Sequence, residues 1–517
     1  MSSTICQEQY TTITKQLGKQ LLTVNMMFID YSPWILLPCF GIAYILVNVI
    51  YNLFFHPLAK VPGPFLARLT KLWLLSEELG GDAANTLARL HKKHGQLVRV
   101  SPNEVAINDR DTFTTINRQG TKFYKEKTFY NGFSGLHGNL FTYQDPEDHS
   151  RRKRLMAPSF PQASLAAHEV IIYECMKPLL NEITKNIQSQ QPTAIFPAVR
   201  KFALDAICAF SFGINLANPS HIDDDSRRRI FEALDNSPRD LIPFQHFTFL
   251  KTAAGVIAKL FPKMAPDAVI SLQTIGMERL LASRKATGLD PPGLFVNMQG
   301  LLDSKKQKLS DEELIAESST LFFAGTDTTA STVAIGLWHL LHKPELYSRL
   351  RAELKTVMPE KGSQPTLKQL ESLPFLSACI KEGLRITCPP RGRLPRVVPP
   401  EGLQCNGVFI PPNTIVSSPI SYLVFDEKVF PKPMEYQPDR WLQYNAKELE
   451  SYLYPFSRGT RSCIGQTLSI SEQRICISQF VRRFSPAEWG KFREVNLKEY
   501  INIIIMDDLA IKLVDAE

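Results

Sequence analysis

Residues 456–465 read Phe456-Ser457-Arg458-Gly459-Thr460-Arg461-Ser462-Cys463-Ile464-Gly465. Within this stretch the group that could attack a bond or hold a metal is the sulfur of Cys463. An apolar-periodic run follows (Leu468, Ile475, Phe480, Val481), so the spacing predicts a helix that starts just beyond the sulfur. Unpaired N–H groups and the positive end of that helix favour a thiolate, as do Arg458 and Arg461. Gly459 permits a turn with positive φ, and Gly465 permits a flat ligand to approach the backbone. The bland reading is an inert buried cysteine beside a surface loop. Against it stands the spacing Phe-x-x-Gly-x-Arg-x-Cys-x-Gly, which chance rarely assembles.

A thiolate held by backbone donors is what a haem iron needs on its proximal side if O–O bonds are to be cleaved. In that reading Phe456 covers the sulfur, and Arg461 reaches a haem propionate through a charge-assisted hydrogen bond. Residues 456–465 resemble the Cys-loop signature of the cytochrome P-450 family of haem-thiolate monooxygenases at each defining position. The resemblance implies haem b as cofactor, with Cys463 as its axial ligand.

A second motif, Ala324-Gly325-Thr326-Asp327-Thr328-Thr329, falls inside residues 312–342, which read as one long helix. Asp311, Glu312 and Glu313 suit its N-terminus, and apolar residues dominate afterwards. Glycine costs a helix interior about 1 kcal/mol relative to alanine, and an unpaired buried carboxylate costs more. A purely structural helix has no use for either. Threonine hydroxyls can bond back to carbonyls one turn earlier and bend the helix, opening a slot for dioxygen and water. Resemblance to the family's acid-alcohol motif assigns Asp327 and Thr328 to relaying protons to dioxygen at the haem, a general-acid task.

Glu382 and Arg385 lie at i and i+3 on a further predicted helix, which alone means little. Arg440, in Pro438-Asp439-Arg440-Trp441, stands 23 residues ahead of Cys463. In the resembled family these three pack as a buried triad that braces the haem loop, a folding role rather than a chemical one. The resemblance further implies that Arg396 reaches a propionate and that residues 388–391 line the pocket. It also pairs His149 with Lys153 as propionate ligands, although lysine replaces the commoner arginine there. Taken by itself, Arg151-Arg152-Lys153-Arg154 reads as a solvated helix face.

At 517 residues, 44% hydrophobic and 21% charged, the composition is that of a globular protein. Length alone would suggest about three domains. A net charge of +8 is too small for a dedicated nucleic-acid binder but allows a basic docking face. The nine cysteines are scattered and odd in number, without C-x-x-C spacing, which suits a reducing compartment with neither structural disulfides nor zinc. There is no P-loop and no G-x-G-x-x-G, so electrons must come from a separate protein.

Residues 34–55 carry no charge. At about 1.5 Å per residue they would cross a hydrocarbon core of roughly 30 Å. A cleaved secretory signal is the alternative, opposed by the late start, the length and the lack of a small-residue cleavage site. Pro38, Asn48 and Asn52 interrupt the run. Glu8, Lys15, Lys19 and Asp30 before it cancel, while Lys60, Arg68 and Lys71 follow it, which places the bulk of the chain in the cytosol. Pro62-Gly63-Pro64 then acts as a stiff joint. The expected organisation is a lumenal segment 1–33, a transmembrane anchor 34–55, a Pro-rich hinge 56–64 and a haem-binding monooxygenase domain 65–517.

Further along, residues 96–107 read as a β-hairpin. Residues 123–143 are crowded with aromatics and glycines, and suit either an aromatic-lined loop over a pocket or ordinary core packing. Residues 165–300 are mainly helical, with breaks near 217–225 and 290–292. Within them, the resemblance implies that residues 241–264 form a lid over the substrate channel, dipping into lipid; the plain alternative is a pair of core helices. Strands are expected at 407–410 and 414–416, and a last hairpin from 503–506 and 509–514 around Asp507-Asp508.

The expected fold is mainly α with small β-sheets, the cytochrome P-450 fold, preceded by an N-terminal transmembrane helix. The expected function is a haem-thiolate monooxygenase that hydroxylates or epoxidises an apolar small molecule with O2 and NADPH-derived electrons, as a tailoring step in fungal terpenoid or polyketide metabolism. The implied partners are NADPH-cytochrome P-450 reductase, cytochrome b5 and the membrane, with no nucleic acid. The implied location is the endoplasmic reticulum membrane, single-pass, with the catalytic domain cytosolic. Two rivals stand beside this: a haem-thiolate isomerase or dehydratase that needs no reductase, and a non-catalytic haem sensor.

Overall fold

The computed structural model describes residues 33–135, 137–160, 165–213, 222–260, 267–286, 289, 292–299, 301–303 and 308–516. The expected lumenal segment therefore lies outside the described residues save for Pro33. The breaks near 217–225 and 290–292 also fall largely outside them. The chain divides into two compact units, Met1–Lys60 and Val61–Glu517.

In the first unit, helix Pro33–Ile50 continues into a single wide turn, Tyr51–Phe55. Leu37–Phe55, 19 residues of mean hydropathy 1.8, contains no buried residue and is long and apolar enough to cross a membrane. Asn48 spends one amide N–H within the helix, its Nδ2 donating to Tyr44 O at 2.8 Å.

The second unit is mainly helical. Its first residues are pinned rather than jointed: Arg99 N donates to Pro62 O at 2.7 Å, and a Cβ on Gly63 would sit 2.2 Å from Arg99 O. Within the stretch expected to act as a hinge, Pro62 and Gly63 thus lie along strand Leu97–Ser101. That strand pairs antiparallel with Glu104–Ile107, as the hairpin expectation required. The sheet continues through Ile415–Ser417 and Arg396–Val397 to Tyr124–Lys125.

The strands expected at 407–410 and 414–416 both form, in different sheets: Val408–Ile410 pairs with Leu403–Cys405, whereas Ile415–Ser417 joins the large sheet. The last hairpin does not form. Ile503–Ile505 pairs with Leu497–Glu499, Ala510–Ile511 with Thr193–Ala194, and Leu513–Asp515 with Phe484–Pro486. The reason lies in the turn. The carbonyls of Asp508 and Leu509 accept from Phe196 N and Ile195 N, the free donors at the start of helix Ile195–Phe212, so this backbone is drawn to a helix end rather than to its neighbour.

The core is built on helix Asp311–Leu340. Ser310 caps it: Ser310 Oγ accepts from Glu313 N at 3.3 Å, and Glu313 Oε2 accepts from Ser310 N at 3.0 Å. Helix Ile195–Phe212, buried on nearly every side, packs along it. At that crossing a Cβ on residue 325 would lie 2.5 Å from Ile207 Cγ1. Gly325 therefore has a packing purpose, against the expectation that a structural helix would have no use for it. The helix is unbroken through the motif.

Of residues 241–264, the described ones form two helices, Ile242–His246 and Thr248–Leu260, and 261–264 lie outside the described residues. The first is buried at Ile242, Gln245 and His246; the second exposes Phe249, Val256, Ile257 and Leu260. A pair of core helices is therefore not what forms.

Candidate functional site

The Cys loop is closed by one backbone bond, Cys463 N to Phe456 O at 2.9 Å. Gly459 takes φ +70°, and a Cβ there would lie 2.1 Å from Asn117 O, so the glycine serves both a left-handed turn and a close approach. A Cβ on Gly465 would meet only Cys463 Sγ, at 3.9 Å. Helix Gln466–Arg483 starts directly afterwards, as the spacing predicted.

The loop forms part of the wall of a cavity with about 360 Å³ of room for water-sized molecules. Phe456, Cys463, Ile464 and Gly465 line it, as do Ala324, Gly325 and Thr328 of the long helix. Phe133 and Phe141 also line it, so the aromatic stretch does border a pocket, with Lys127–Phe133 forming a short helix within it. Pro389 and Pro390 reach the cavity, but their neighbours do not. Cys388 packs with Phe113, Ile420, Leu423 and Val424, and Arg391 pairs with Glu499 at 2.5 Å.

Cys463 shows exposed surface although it lies deep in the protein, because that surface borders the cavity. Burial pushes its thiol up, while the backbone N–H groups of Gly465 and Gln466 and the Lys153 ammonium pull it down without prevailing. In the protein alone, burial thus outweighs the donors that were expected to favour a thiolate, a balance that a bound cation would shift. The cation acting on the sulfur is also not one of the expected arginines. Arg458 Nη1 donates to Thr114 Oγ1 at 3.3 Å with its guanidinium over the Tyr454 ring. Arg461 donates to the carbonyls of Tyr143 (2.7 Å) and Gln144 (2.9 Å). Lys153 Nζ is the near one, and it donates to Thr460 O at 3.0 Å and, more weakly, to Ser462 O.

Beside the cavity, with Arg461 on its wall, lies a cluster of bases. Lys125 and Arg396 stand directly opposite each other on paired antiparallel strands, a placement that like charges disfavour. Burial holds the Lys125 amine well below its usual range, and Arg396 and Arg461 push it the same way. Burial also lowers Arg396, and burial together with Arg396 brings Arg461 to about 10. His149 is pressed down to about 3 by burial, then by Arg461, Lys125, Lys153 and Arg396. Arg396 Nε and His149 Nδ1 are buried without a hydrogen bond. Among the described residues no carboxylate forms an ion pair with Lys125, His149, Lys153, Arg396 or Arg461.

Such a cluster costs several kcal/mol unless an anion answers it. A ligand with two carboxylates on one edge fits these residues, and haem b is such a ligand. Among the described residues no group of three or more His, Cys, Asp or Glu is placed to hold a metal. An iron held by Cys463 alone would thus need its other ligands from a tetrapyrrole.

The acid-alcohol pair is divided between two environments. Thr328 lines the cavity, and its Oγ1 donates back to Ala324 O at 2.7 Å, as expected of a helix threonine. Asp327 does not line it. Its two oxygens accept from Arg200 Nε (2.6 Å) and Nη2 (2.9 Å), and Arg200 also holds Asp235 at 2.7 Å. Burial raises the Asp327 carboxyl, with Arg200 opposing. Burial works against the Arg200 charge too, but Asp327 and Asp235 outweigh it and hold the guanidinium charged.

The bracing residues come together fully. Glu382 accepts from Arg385 Nε (3.0 Å) and Nη2 (2.9 Å) and from Arg440 Nε (3.1 Å). Trp441 Nε1 and Gln437 N complete the shell of that carboxylate at 2.9 Å each. Glu382 and Arg385 have no exposed surface.

The basic run 151–154 is not a solvated face. Arg152 is fully buried between Glu313 (2.6 Å) and Glu317 (2.8 Å), and Arg151 pairs with Asp303 at 2.7 Å. Arg154 alone of the four is exposed.

Three residues that matter here were not singled out from sequence: Lys125, Arg200 and Trp441. Arg200 carried a signal, a lone charge pair with Lys201 inside the apolar run Ala198-Val199-Arg200-Lys201-Phe202-Ala203-Leu204. Lys125 carried a weaker one, a base within an aromatic stretch, where its Nζ sits 4.4 Å above the Tyr130 ring and 4.8 Å above that of Phe141.

The sequence profile of the family described as Cytochrome P450 matches residues 61–498. The chain is 31% identical over 475 residues to cytochrome P450 monooxygenase macH of Penicillium terrestre, covering 88% of this chain and 91% of that one. It is 30% identical over 495 residues to cytochrome P450 monooxygenase hkm5 of Aspergillus hancockii, covering 90% and 91%. It is 29% identical over 469 residues to the fusicoccadiene C-8 hydroxylase of Alternaria brassicicola, covering 86% and 88%.

Proposed function

We propose a site, a setting and a substrate class for this chain, from the premise that it belongs to the cytochrome P450 family and is a haem-dependent monooxygenase. The observation that carries the site is the set of bases with no acid to answer them, beside the Cys463 cavity.

Cys463 would bind the iron of haem b, with Phe456 shielding its sulfur. Lys125, His149, Arg396 and Arg461 would hold the propionates. Lys153 keeps the Cys loop closed through Thr460 O. When bound, haem supplies the iron at which dioxygen is activated. Thr328 Oγ1, tied to Ala324 O, leaves its lone pairs toward the cavity and orients a water there. Asp327 takes and gives protons on the other face of the helix, when Arg200 yields one of its two oxygens. Glu382, Arg385 and Arg440 stiffen the frame behind the loop.

Residues 37–55 anchor the chain in the endoplasmic reticulum membrane, with the catalytic domain in the cytosol. The exposed apolar residues of Thr248–Leu260 rest on a lipid surface. Electrons come from NADPH-cytochrome P-450 reductase, with cytochrome b5 as a second donor. Exposed bases such as Arg154 steer an acidic partner, so the rate of reduction should fall as salt rises.

The substrate is a largely apolar small molecule, hydroxylated or epoxidised as a tailoring step in fungal secondary metabolism, of terpenoid or polyketide origin. Support comes from the apolar wall of the cavity and from a relative named as a fusicoccadiene hydroxylase.

Purified protein tests this directly. Its reduced carbon monoxide adduct should show the red-shifted Soret band of thiolate ligation, and Cys463→Ala should abolish it together with product formation from O2, NADPH and reductase. A wild-type adduct without that band would overturn the site. NADPH oxidation stimulated by substrate separates the oxygenase from a haem-thiolate isomerase or dehydratase, which would consume none.

A further inference from the structure

Most polar side chains on the cavity wall are already spent within the fold. Ser319 Oγ donates to Ile315 O at 3.1 Å, Thr320 Oγ1 to Ala316 O at 3.0 Å, and Ser237 Oγ to Ala233 O at 2.5 Å. Asn139 Oδ1 accepts from Thr142 N at 2.9 Å. Glu472, whose Oε2 has no hydrogen bond, is an exception, and so are two carboxamides. Gln273, on helix Asp267–Lys285, and Asn502, in the turn between Leu497–Glu499 and Ile503–Ile505, both line the cavity. Neither side chain has a hydrogen-bond partner among the described residues, while Asn502 is only 8% exposed.

Both are held where they are. The turn carrying Asn502 is pressed against Gly392: Gly392 N donates to Ile501 O at 3.1 Å, and a Cβ on Gly392 would lie 2.5 Å from Tyr500 O. Gln273 lies against Gly135, where a Cβ would stand 2.5 Å from its Nε2. The missing side chain at 135 is therefore what leaves room for that amide. A carboxamide that faces an apolar cavity without protein partners, as half-buried Gln273 and buried Asn502 do, gains from a ligand that supplies them.

We infer that Gln273 and Asn502 determine specificity by binding oxygen already present on the substrate, so that the enzyme prefers a hydroxylated or carbonyl-bearing skeleton to the parent hydrocarbon. This rests on the monooxygenase reading above and narrows its substrate class. For a terpenoid skeleton it also fixes a place in a reaction sequence: an earlier oxygenation or hydration of that skeleton must supply this substrate. A site built to bond such an oxygen discriminates strongly against the analogue that lacks it, because the amides are then left unpaired.

The test uses the full-length haem-loaded protein and matched probes, valencene against nootkatone and cedrene against cedrol, with the substrate-induced Soret shift as readout. The wild type should bind the oxygenated member of each pair about tenfold tighter, the equivalent of about 1.4 kcal/mol. Gln273→Leu and Asn502→Leu should each shrink that preference several-fold, with the carbon monoxide spectrum unchanged. Gly135→Ala, which displaces the Gln273 amide without altering it, should do the same and covers the case in which a leucine variant fails to fold. Equal or tighter binding of the hydrocarbons by the wild type, no Soret response to either oxygenated probe, or a preference that survives in all three variants would each overturn the inference. A normal carbon monoxide spectrum in those experiments leaves the monooxygenase reading standing, so the two can fail separately.

Discussion

Arg200 grips both carboxylate oxygens of Asp327, at 2.6 and 2.9 Å, across the crossing of helices Ile195–Phe212 and Asp311–Leu340. The same guanidinium reaches Asp235 on helix Asp224–Asp240 at 2.7 Å. The acid that the motif singles out is thus restrained on the side of the helix away from the cavity, and its freedom depends on how firmly Arg200 is held elsewhere.

Replacing Arg200 with Met should strand Asp327 as a buried acid and cost about 3–5 kcal/mol of stability. The carboxyl, already raised by burial, would then lose the guanidinium that opposes that rise. Product formed per NADPH consumed should fall, with the balance recovered as peroxide. Unchanged coupling in Arg200→Met, measured beside Thr328→Ala, would show that the clamp has no bearing on proton supply.

Glu382 receives five hydrogen bonds from Arg385, Arg440, Trp441 and Gln437. Glu382→Gln keeps the shape but leaves two buried guanidinium groups facing a neutral amide, at a cost of about 3–5 kcal/mol. Little haem-loaded protein should be recovered. Full haem occupancy and an unshifted melting temperature would refute the bracing role.

Lys125 faces Arg396 across the strand pair and lacks an acidic partner. Lys125→Met should speed transfer of haem to an acceptor such as apomyoglobin by about tenfold, the effect of losing one charge-assisted bond of about 1.5 kcal/mol. Without haem the ranking should reverse, because an uncharged side chain facing Arg396 relieves the repulsion, and the haem-stripped variant should melt above the haem-stripped wild type. Identical transfer rates would remove Lys125 from the propionate site.

Helix Ile242–His246 is tied down by a cluster around Glu78, which accepts from Arg393 Nε at 2.5 Å and faces His246 Nε2 at 2.6 Å. Burial pushes the Glu78 carboxyl up, but Arg393 and His246 more than reverse it and hold it at about 2. Since the folded value lies below the ordinary one, the stabilisation is complete above about pH 4.5 and is lost as pH falls towards 2, a contribution of about 3 kcal/mol. Glu78→Gln should therefore be less stable than wild type at neutral pH, with the gap closing in acid. A gap that stays constant across that window would contradict the assignment.

Gly325 is predicted to tolerate no side chain unless its neighbour shrinks. Gly325→Ala should destabilise by about 1–3 kcal/mol through the clash with Ile207, and Ile207→Ala should restore much of the loss. Calorimetry on the two single variants and the double variant measures that coupling.

The features readable from sequence were those set by local spacing. The Cys loop with its positive-φ glycine, the long helix with acidic residues in its first turn, the hairpin near residue 100 and the apolar span at 37–55 each depend on residues a few positions apart. The triad could be read as well, because Glu382 and Arg385 share one helix turn and Arg440 stands at a family spacing from Cys463.

What failed depended on partners distant in the chain. The terminal hairpin dissolved because Asp508 and Leu509 met the donors of Ile195 and Phe196. The basic run 151–154 turned inward because acids at 303, 313 and 317 lay beside it. The thiol of Cys463 was pushed up because enclosure outweighed the donors that local reading counted in its favour.

The amino-acid order by itself determined the chemistry available: one sulfur in a glycine-flexed loop, one alcohol beside one acid, and a carboxylate–guanidinium brace. Only the tertiary structure decided which charges face each other without relief, since desolvation and Coulomb terms are sums over neighbours that the chain brings together from far apart. Lys125 against Arg396, and Arg200 around Asp327, exist as relationships only once helices and strands have packed.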